Sequence, residues 1–429
     1  MRFRKFPTLP AWALEWTSDG EPPLSGNTST AAMKKIFFVA AAVCVAAPWA
    51  IGQANLAFTG AQGFGRFASG GSGGEIIHVT TLADAGPGSF REAVSQPHRI
   101  VVFDVGGIIR LKSNVAVSSD LTLAGQTAPG DGICLYGRSI SFSGEHNIVV
   151  RYLRFREGIA GDRGKCSVNL SGGSDMIFDH CSIEWGRWDC LGLTRGSHDI
   201  TFQYCIIGEG VDPQRFGSLS DTVTDITYSH NLWINNQSRN PKAKGRIQYF
   251  NNVVYNWGVC GLVGGHSQTN HFLDAIGNYF IAGPNSNGRA AGEFRSTDHV
   301  YQQGNFSDTD KDGRLNGREM AAADFGSGES APTMEKGWTV VSAIDFKIES
   351  AAAALTNVLA TAGCSLQRDA VDARLVDAVR SFGTAGRIIH DEAEAGGIGE
   401  WKEARAAQPV KNNDDIAKIL DKLADRSIN

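Results

Sequence analysis

The sequence predicts an all-β fold in which short parallel strands stack as the coils of a solenoid. Strand-like segments recur along the chain, and the residues that anchor them on the inside are 21 to 28 positions apart. These anchors are Ile148, Met176, Ile200, Ile226, Ile247 and Phe272. One coil of this length cannot bury its apolar face alone, so successive coils have to stack into a continuous core. The 51 glycines follow no collagen period and suit the many tight turns of such a fold.

Two asparagines lie at matching positions in neighbouring coils. Asn231 and Asn252 have the same offset from the anchors Ile226 and Ile247, which predicts a ladder of stacked amides at a bend. A leucine-rich horseshoe is the competing repeat architecture, but the leucine spacing that it requires is missing.

Length and charge limit the classes of function. The chain has 429 residues, of which 42% are hydrophobic, so it can build a large core. One β domain with appendages is as compatible with this length as two domains. The formal net charge of −5 gives no support for nucleic-acid binding, which usually shows a basic balance.

The N-terminal part has the pattern of a secretion signal. Met33, Lys34 and Lys35 precede an apolar run at 36–47, and small residues follow before a cleavage site near Gly52. The run is short for a bilayer span, so a retained membrane anchor is the less favoured alternative. We therefore interpret residues 1–52 as an upstream segment and a signal, with Met33 as the true start. The mature chain is expected to be secreted, extracellular or periplasmic, and free of the membrane.

The segment after the signal shows turns but no nucleotide-binding pattern. The glycine-rich stretch at 60–74 lacks the preceding strand, following helix and Gly-Lys-Ser/Thr ending of a phosphate loop. Residues 86–93 read as a turn and a short helix, which would cap the open N-terminal end of the solenoid.

Seven cysteines remain after the signal, an odd number for an exported chain. Cys166 and Cys190 are 24 residues apart, as are Cys181 and Cys205, so each pair would stack one coil apart. Stacked thiols could form disulfides or fill the core as small apolar side chains, and both interpretations stay open.

The repeat is expected to end after Asn285, which gives a solenoid domain at 53–290 and a C-terminal extension at 291–429. Helical patterns at 350–362, 369–382 and 414–423 would pack along the outside or the end of the solenoid. Residues 308–319 match a twelve-residue EF-hand-like calcium loop, with glycine at position 6 and an apolar residue at position 8. Its expected Ca²⁺ ligands are Asp308, Asp310, Asp312, Arg314 and Glu319.

A basic turn follows the strand that begins at Ile226. Residues 239–246 place four cations in eight residues, between two strand segments of the predicted wall. A rigid turn that presents four cations is suited to an anionic polymer, whereas the alternative is an ordinary solvated loop.

Several separate motifs, in order along residues 56–287, resemble polysaccharide lyase family one, the pectate and pectin lyases. They include Val79-Thr80-Thr81-Leu82, Gly86-Pro87-Gly88-Ser89-Phe90-Arg91, Phe178-Asp179-His180-Cys181-Ser182, Arg239-Asn240-Pro241 and Asn251-Asn252-Val253-Val254-Tyr255-Asn256. The resemblance implies a right-handed parallel β-helix that cleaves uronic-acid polymers by β-elimination, with pectic polysaccharide as substrate. Asp179 and His180 would lie on another face and be structural. We expect a monomer.

The chemistry of elimination agrees with the basic turn. A base removes the C5 proton beside a uronate carboxylate, and cations must neutralise that carboxylate. In the family motif the first arginine, here Arg239, is the base, and the last basic residue, here Lys244, binds substrate. Because arginine is normally always protonated, Lys244 is the chemically easier base. The other expected substrate contacts are Arg215, Lys242, Arg246, Arg187 and Trp188.

The sequence departs from the family at its calcium site. The strand that normally offers aspartates reads Gly164-Lys165-Cys166, which leaves Asp189 as the expected ligand, helped by Asp162 or Glu157. Either Ca²⁺ arrives with the substrate, or Arg187 and Arg215 replace it.

Three alternative functions are weighed against a pectate lyase. One is a calcium-independent pectin lyase on methylated pectin, and another is a polysaccharide-binding β-helix without activity. The third, a glycoside hydrolase, needs paired carboxylates that the coils do not offer.

Overall fold

The computed structural model describes residues 55–326, 336–339 and 347–412, and in them the chain winds into a parallel β-helix. The predicted fold class is confirmed. The predicted upstream segment and signal at 1–52 and the predicted helix at 414–423 lie outside the described residues.

Each coil contributes strands to three faces. Face one contains Glu75–Val79, Arg99–Phe103, Leu121–Ala124, His146–Arg151, Ser174–Asp179, His198–Gln203, His271–Ile276 and Asp298–Gln303. Face two contains Val105–Arg110, Ile133–Tyr136, Arg154–Arg156, Ser182–Glu184, Ile206–Gly208, Leu232–Ile234, Val253–Tyr255, Tyr279–Ile281 and Phe306–Asp308. Face three contains Val115–Ala116, Ile140–Ser141, Val168–Ser171, Asp189–Thr194, Cys260–Gly264 and Arg289–Gly292. The two long strands Phe216–Ser229 and Lys242–Phe250 bend from face three into face one.

The predicted inward anchors set the register of face one. Ile148, Met176, Ile200, Ile226 and Ile247 are aligned neighbours in successive strands, and all are buried. The sixth anchor is wrong by one position, because Leu273 and not Phe272 pairs with Ile247. Since strand side chains alternate between faces, Phe272 instead points outward and stacks on His299.

The predicted amide ladder is present and longer than expected. Asn231 donates from Nδ2 to Oδ1 of Asn252 at 3.0 Å, Asn252 to Asn278 at 3.2 Å, and Asn278 to Asn305 at 2.8 Å. All four are fully buried, so each amide replaces the water that the bend would otherwise need. At the coil before Asn231, Cys205 donates its backbone N–H to Oδ1 of Asn231.

The turn from face one to face two is left-handed in successive coils. Tyr152, His180, Tyr204 and His230 all have φ between 51° and 56°. Their rings stack with centroids 4.8, 5.0 and 4.8 Å apart. His180 is therefore part of a stack, and its neighbour Asp179 forms a buried ion pair with Arg151 at 2.6 Å. Both residues have the structural role that was expected.

The seven cysteines among the described residues are free thiols. Cys181 and Cys205 lie in the hydrophobic core, where burial raises the pKa of the Cys181 thiol well above its usual value. The interpretation as small apolar side chains is the one that the structure supports.

The repeat does not stop after Asn285, which corrects the expected boundary at 290. Three further strands, Arg289–Gly292, Asp298–Gln303 and Phe306–Asp308, pair in parallel with the preceding coil. The hairpin strand Arg318–Glu319 and the segment Ala404–Arg405 pair antiparallel to face two.

Among the residues that the structure describes, three α-helices lie outside the coils. The short α1 (Phe90–Ala93) lies within the segment 86–93 for which a turn and a short helix were predicted, and Ser89 is its capping residue. The helices α2 (Ala351–Thr361) and α3 (Ala370–Arg380) begin after the capping residues Ser350 and Asp369. Both pack their buried side chains against the outer side of face two, so the C-terminal extension covers that face.

A buried ion network joins face two to the segment that leads into α3. Arg156, which is fully buried, contacts Glu184 at 2.5 Å, Asp369 at 2.5 Å and Asp372 at 2.9 Å. Arg154 also lies beside the two aspartates. Because each buried charge needs partners, this network fixes the extension at one position on the coils.

Candidate active site

The basic turn places two lysines on the outside of face three. In the strand Lys242–Phe250, Ala243 packs into the core, so Lys242 and Lys244 point outward by alternation. Lys242 is aligned with Leu219 and Lys244 with Asp221 in the preceding coil. Lys244 forms an ion pair with Asp221 at 2.9 Å.

Arg239 is fixed immediately before these lysines. It has a left-handed backbone with φ of 62°, and its carbonyl accepts a hydrogen bond from the N–H of Ser218 at 2.7 Å. Its guanidinium lies 4.2 Å from the centroid of the Phe216 ring, and its Nη1 is 3.2 Å from both carboxylate oxygens of Asp189. The side chain is 20% exposed, whereas Asp189 is 1% exposed. Asp189 and Phe216 thus hold the arginine on its buried side, and its other side is open to solvent.

Asp189 is the buried anion of the site. Burial raises the pKa of its carboxyl to about 6, and the neighbouring Arg239 and Lys242 oppose that rise. Because a buried carboxylate without a cation is costly, Asp189 and Arg239 stabilise one another and fix the direction of the guanidinium.

Lys242 contacts a histidine of the next coil. Its Nζ is 3.0 Å from Nε2 of His266, which follows the next strand of face three. Burial lowers the pKa of Lys242, and the positive charges of Arg239 and Lys244 lower it further. We name Arg239, Lys242 and Lys244 together the basic site.

Arg215 lies one coil before the basic site and faces the C-terminal extension. Its Nε is 3.3 Å from Asp212, and its Nη1 is 3.3 Å from Nε2 of His390. His390 also contacts Asp212 through Nδ1 at 3.1 Å. This arrangement leaves Arg215 partly exposed but orients it through a residue that the sequence analysis did not single out.

Two predicted substrate contacts are not brought to the basic site. Arg187 donates from Nε to the carbonyl of Asp212 and from Nη1 to that of Gly161, so it connects two loops. Arg246 forms an ion pair with Asp225 at 2.6 Å and lies against Trp338, beyond the bend into face one. The sequence did not show where the strand bends before Ile247, nor that two loop carbonyls would engage Arg187.

Trp185 and Trp188, which lie just before the strand Asp189–Thr194, differ in environment. Trp185 is fully buried and donates from Nε1 to Glu209 at 3.2 Å. Trp188 is 38% exposed and directly precedes the strand that carries Asp189. Only Trp188 presents an aromatic surface that a sugar ring could contact.

The side chains around Asp189 do not fit a preformed calcium site. Asp189 is already bonded to Arg239, Asp162 is exposed, and Glu157 is fully buried with its Oε1 unbonded. Across the described residues, no group of three or more His, Cys, Asp or Glu side chains is arranged to hold a metal ion. Since Ca²⁺ takes six to eight oxygen ligands, these side chains alone do not provide its coordination shell.

The predicted calcium loop has the turns of an EF-hand but side chains bonded to its own backbone. Asp310 accepts from the N–H of Asp312, Asp312 from that of Arg314, and Asp308 from that of Asn316. Gly313 has a φ of 82°, the left-handed conformation that position 6 requires. Glu319 lies in the hairpin strand, opposite Phe306.

Sequence reasoning missed His266, Glu293 and His390. The coil period contains a signal for the first, because His266 is 24 residues after Lys242, close to one coil. His390 comes from the C-terminal extension, where no local pattern links it to Arg215.

The chain is similar in sequence to proteins named as pectate lyases. The chain is 42% identical over 350 residues to a protein of Aspergillus flavus named "Probable pectate lyase C", which covers 81% of this chain and 83% of the relative. A protein of the same name from Aspergillus fumigatus is also 42% identical, with 84% and 85% covered. The chain matches no family model.

Solved structures support the fold. Jun a 1, the major allergen from cedar pollen, has a TM-score of 0.52 at 18% identity and covers 71% of this chain and 92% of its own. The thermostable pectate lyase PL 47 also has a TM-score of 0.52, at 14% identity, with 72% and 98% covered. On the strength of the Aspergillus relatives, the chain belongs to the pectate lyase family of polysaccharide lyases.

Proposed function

We propose that the chain cleaves polygalacturonate by β-elimination on the outside of face three, with Arg239 as the base. The observation that carries this assignment is the position of Arg239, which is held by Asp189 and Phe216 beside two outward lysines. The family motif assigns the base role to this arginine. A guanidinium is normally protonated in proteins, so the assignment rests on the motif and on the position of the side chain.

The lysines supply the charge that elimination needs. A C5 proton becomes acidic when the neighbouring carboxylate is neutralised, because the developing negative charge is then stabilised. Lys242 and Lys244 project from the same strand on the side where Arg239 is exposed, so one uronate could contact all three. Lys244 is the alternative base, although its ion pair with Asp221 favours a binding role.

Further substrate contacts extend to the two preceding coils, with Arg215 one coil and Trp188 two coils before the basic site. Trp188 offers an exposed ring for stacking on a sugar, and Arg215 offers a cation for a second carboxylate. These two residues lie along the axis of the β-helix from the basic site, so a polymer that follows the axis would meet them in turn.

Calcium is proposed at the loop of residues 308–319. Pectate lyases are a family whose members use calcium. Burial raises the pKa of Asp308, and the charges of Asp310 and Asp312 raise it further, so a cation between them would relieve the repulsion. Asp308, Asp310, Asp312, the carbonyl of Arg314 and Glu319 are the proposed ligands. In this structure their carboxylates are not gathered around one point, so Asp308, Asp310 and Asp312 would have to exchange their backbone hydrogen bonds for the ion. The loop lies in the C-terminal extension, so its role is stability.

Export is proposed because pectic polysaccharide is the substrate. The signal at 33–52 lies outside the described residues. Among the helices that the structure describes, none is long and apolar enough to cross a membrane. A monomer in solution remains a prediction.

The deciding experiment follows product formation on polygalacturonate and on methylated pectin. A lyase creates an unsaturated uronate that absorbs ultraviolet light, a hydrolase creates only new reducing ends, and a binding protein creates neither. We expect the unsaturated product from polygalacturonate, with Arg239→Ala inactive. Reducing ends without absorbance would contradict the proposal. A preference for methylated pectin would instead identify the activity as that of a pectin lyase.

A further inference from the structure

A chain of three side chains leads away from the basic site. Nζ of Lys242 is 3.0 Å from Nε2 of His266, and Nδ1 of His266 is 3.2 Å from Oε2 of Glu293. These residues come from three successive coils of face three: the strand Lys242–Phe250, the loop after Cys260–Gly264 and the end of Arg289–Gly292.

The order of donors in this chain is fixed by chemistry. A lysine ammonium has only donors, so Nε2 of His266 must accept. A neutral imidazole then carries its proton on Nδ1, which lies 3.2 Å from Oε2 of Glu293 without a hydrogen bond to it. The negative charge of Glu293 favours the tautomer with the proton on Nδ1, and Nε2 of His266 in turn accepts one N–H of Lys242.

Neutralisation of a carboxylate does not require this arrangement, because a freely rotating lysine does it equally well. The site also makes Lys242 a readier proton donor than an isolated lysine. It is faced by the cations Arg239 and Lys244 and by the anions Glu293 and Asp221, and burial is the largest cause of its lowered pKa. His266 is faced by Lys242, Glu293, Arg295 and Asp298, and its own pKa is also lowered, first by burial.

Elimination needs a proton donor as well as a base. The base takes the proton from C5, the C5–H electrons form the C4=C5 double bond, and the C4–O4 bond breaks with its electrons on O4. That oxygen leaves as an alkoxide unless a proton reaches it during the step. One proton is removed and one is delivered, so the overall reaction is balanced.

We propose that Lys242 is the acid that protonates the leaving O4, with His266 and Glu293 as the positioning residues that aim it. The inference rests on the proposed elimination at Arg239. After transfer the amine regains its proton from water, which reaches it beside the partly exposed His266. The alternative is that Lys242 contacts only the uronate carboxylate.

The two roles separate when the leaving group is changed. The first substrate is an oligogalacturonate. The second is a digalacturonide whose non-reducing residue carries a 4-nitrophenyl ether on C4, so that nitrophenolate leaves without needing a proton. An acid matters only for the first substrate, whereas a carboxylate contact matters equally for both.

The experiment compares kcat and KM of Lys242→Met, His266→Ala and His266→Gln on the two substrates. We expect Lys242→Met to lower kcat on oligogalacturonate about 100-fold and on the nitrophenyl ether less than about 3-fold. We expect His266→Ala to show the same pattern with a smaller loss of kcat on oligogalacturonate. His266→Gln should lose less kcat than His266→Ala, because an amide oxygen can accept from Lys242. Lys112→Met, an exposed lysine in an early coil, is the control and should match wild type.

Equal losses of Lys242→Met on both substrates would overturn the inference and assign Lys242 to the carboxylate. If wild type produced no unsaturated product from either substrate, the proposed function itself would fail. The His266 pair keeps the test decisive if Lys242→Met does not fold, because equal losses of His266→Ala on both substrates would also overturn the inference.

Discussion

Arg374 and Glu209 are 165 residues apart in sequence and are joined by two hydrogen bonds of 2.6 and 2.8 Å. Glu209 lies at a turn after face two and is fully buried, whereas Arg374 projects from the middle of α3. Glu209 also accepts from Trp185 and Asn235. The pair therefore locks α3 onto the turn that leads into the strand Phe216–Ser229, which pairs with the strand of the basic site.

Loss of this pair should loosen the extension. Arg374→Met leaves a buried carboxylate without its cation, which typically costs about 3 kcal/mol. We expect the variant to unfold at a lower urea concentration than wild type. None of the residues of the basic site is changed in it. Arg380→Met is the matched control, since Arg380 pairs with Asp377 on the exposed side of the same helix and should change stability by less than about 0.5 kcal/mol. Equal effects of the two variants would contradict the locking role.

Glu157 should make stability fall with rising pH. Burial raises the pKa of its carboxyl from 4.5 to about 7. Because the folded pKa is raised, its favourable contribution is complete below pH 4.5 and is lost as the pH rises through 7. We expect the free energy of unfolding of Glu157→Gln, measured with urea, to exceed that of wild type by about 3 kcal/mol at pH 8. Near pH 4.5 the two free energies should be equal. Asp175→Asn, an exposed carboxylate that is not among the groups that shift the pKa of Glu157, should leave the pH dependence unchanged.

The amide ladder should be sensitive at its centre. Asn252 accepts from the backbone and side chain of Asn231 and donates to Tyr228, Phe250 and Asn278. Asn252→Ala leaves several buried polar groups unpaired, so we expect a loss of about 3 kcal/mol in urea unfolding. Asn287→Ala, at an exposed position, should lose less than about 0.5 kcal/mol. A small effect at Asn252 would mean that the ladder contributes little to stability.

Calcium should raise the melting temperature through the loop of residues 308–319. Binding to the folded state alone stabilises by mass action, so chelation should lower the midpoint. The double variant Asp308→Ala and Glu319→Ala should have the same midpoint with calcium and with chelator. An unchanged wild-type midpoint in chelator would remove the proposed site.

Arg239→Ala should abolish elimination without disrupting the coils. Removal of a base should lower kcat far more than tenfold, and a smaller loss would mean less than about 1.4 kcal/mol of transition-state stabilisation. Because the variant leaves Asp189 buried and unpaired, Asp189→Asn in the same chain is the control. We expect the double variant to regain thermal stability and to remain inactive. Retained activity in Arg239→Ala would make Lys244 the candidate base.

Periodicity predicted the wall of the fold better than its bends. The anchors from Ile148 to Ile247 share one register, because inward apolar residues define each coil. The predicted anchor Phe272 was wrong by one position, because alternation alone does not show which of two adjacent apolar residues points inward. Arg246 was assigned to the site for a related reason: it follows Gly245, where the pairing register shifts and the strand bends.

The site was predictable where its chemistry is local and not where it is assembled across coils. The sequence placed Arg239, Lys242 and Lys244 together because they belong to one turn. It could not show that Asp189 would bond to Arg239 and so be lost as a calcium ligand. His266 and Glu293 carry no local motif, and only the stacking of coils brings them to Lys242.

The return of Ala404–Arg405 to the strand Val105–Arg110 has a consequence for the order of folding. During synthesis or export the early coils emerge long before residue 404, so the edge of face two in the first coil stays unpaired until most of the chain has followed. An open strand edge can pair with other chains, so this interval is when aggregation is most probable. A segment near the C-terminal end of the described chain thus protects an edge strand of the first coil.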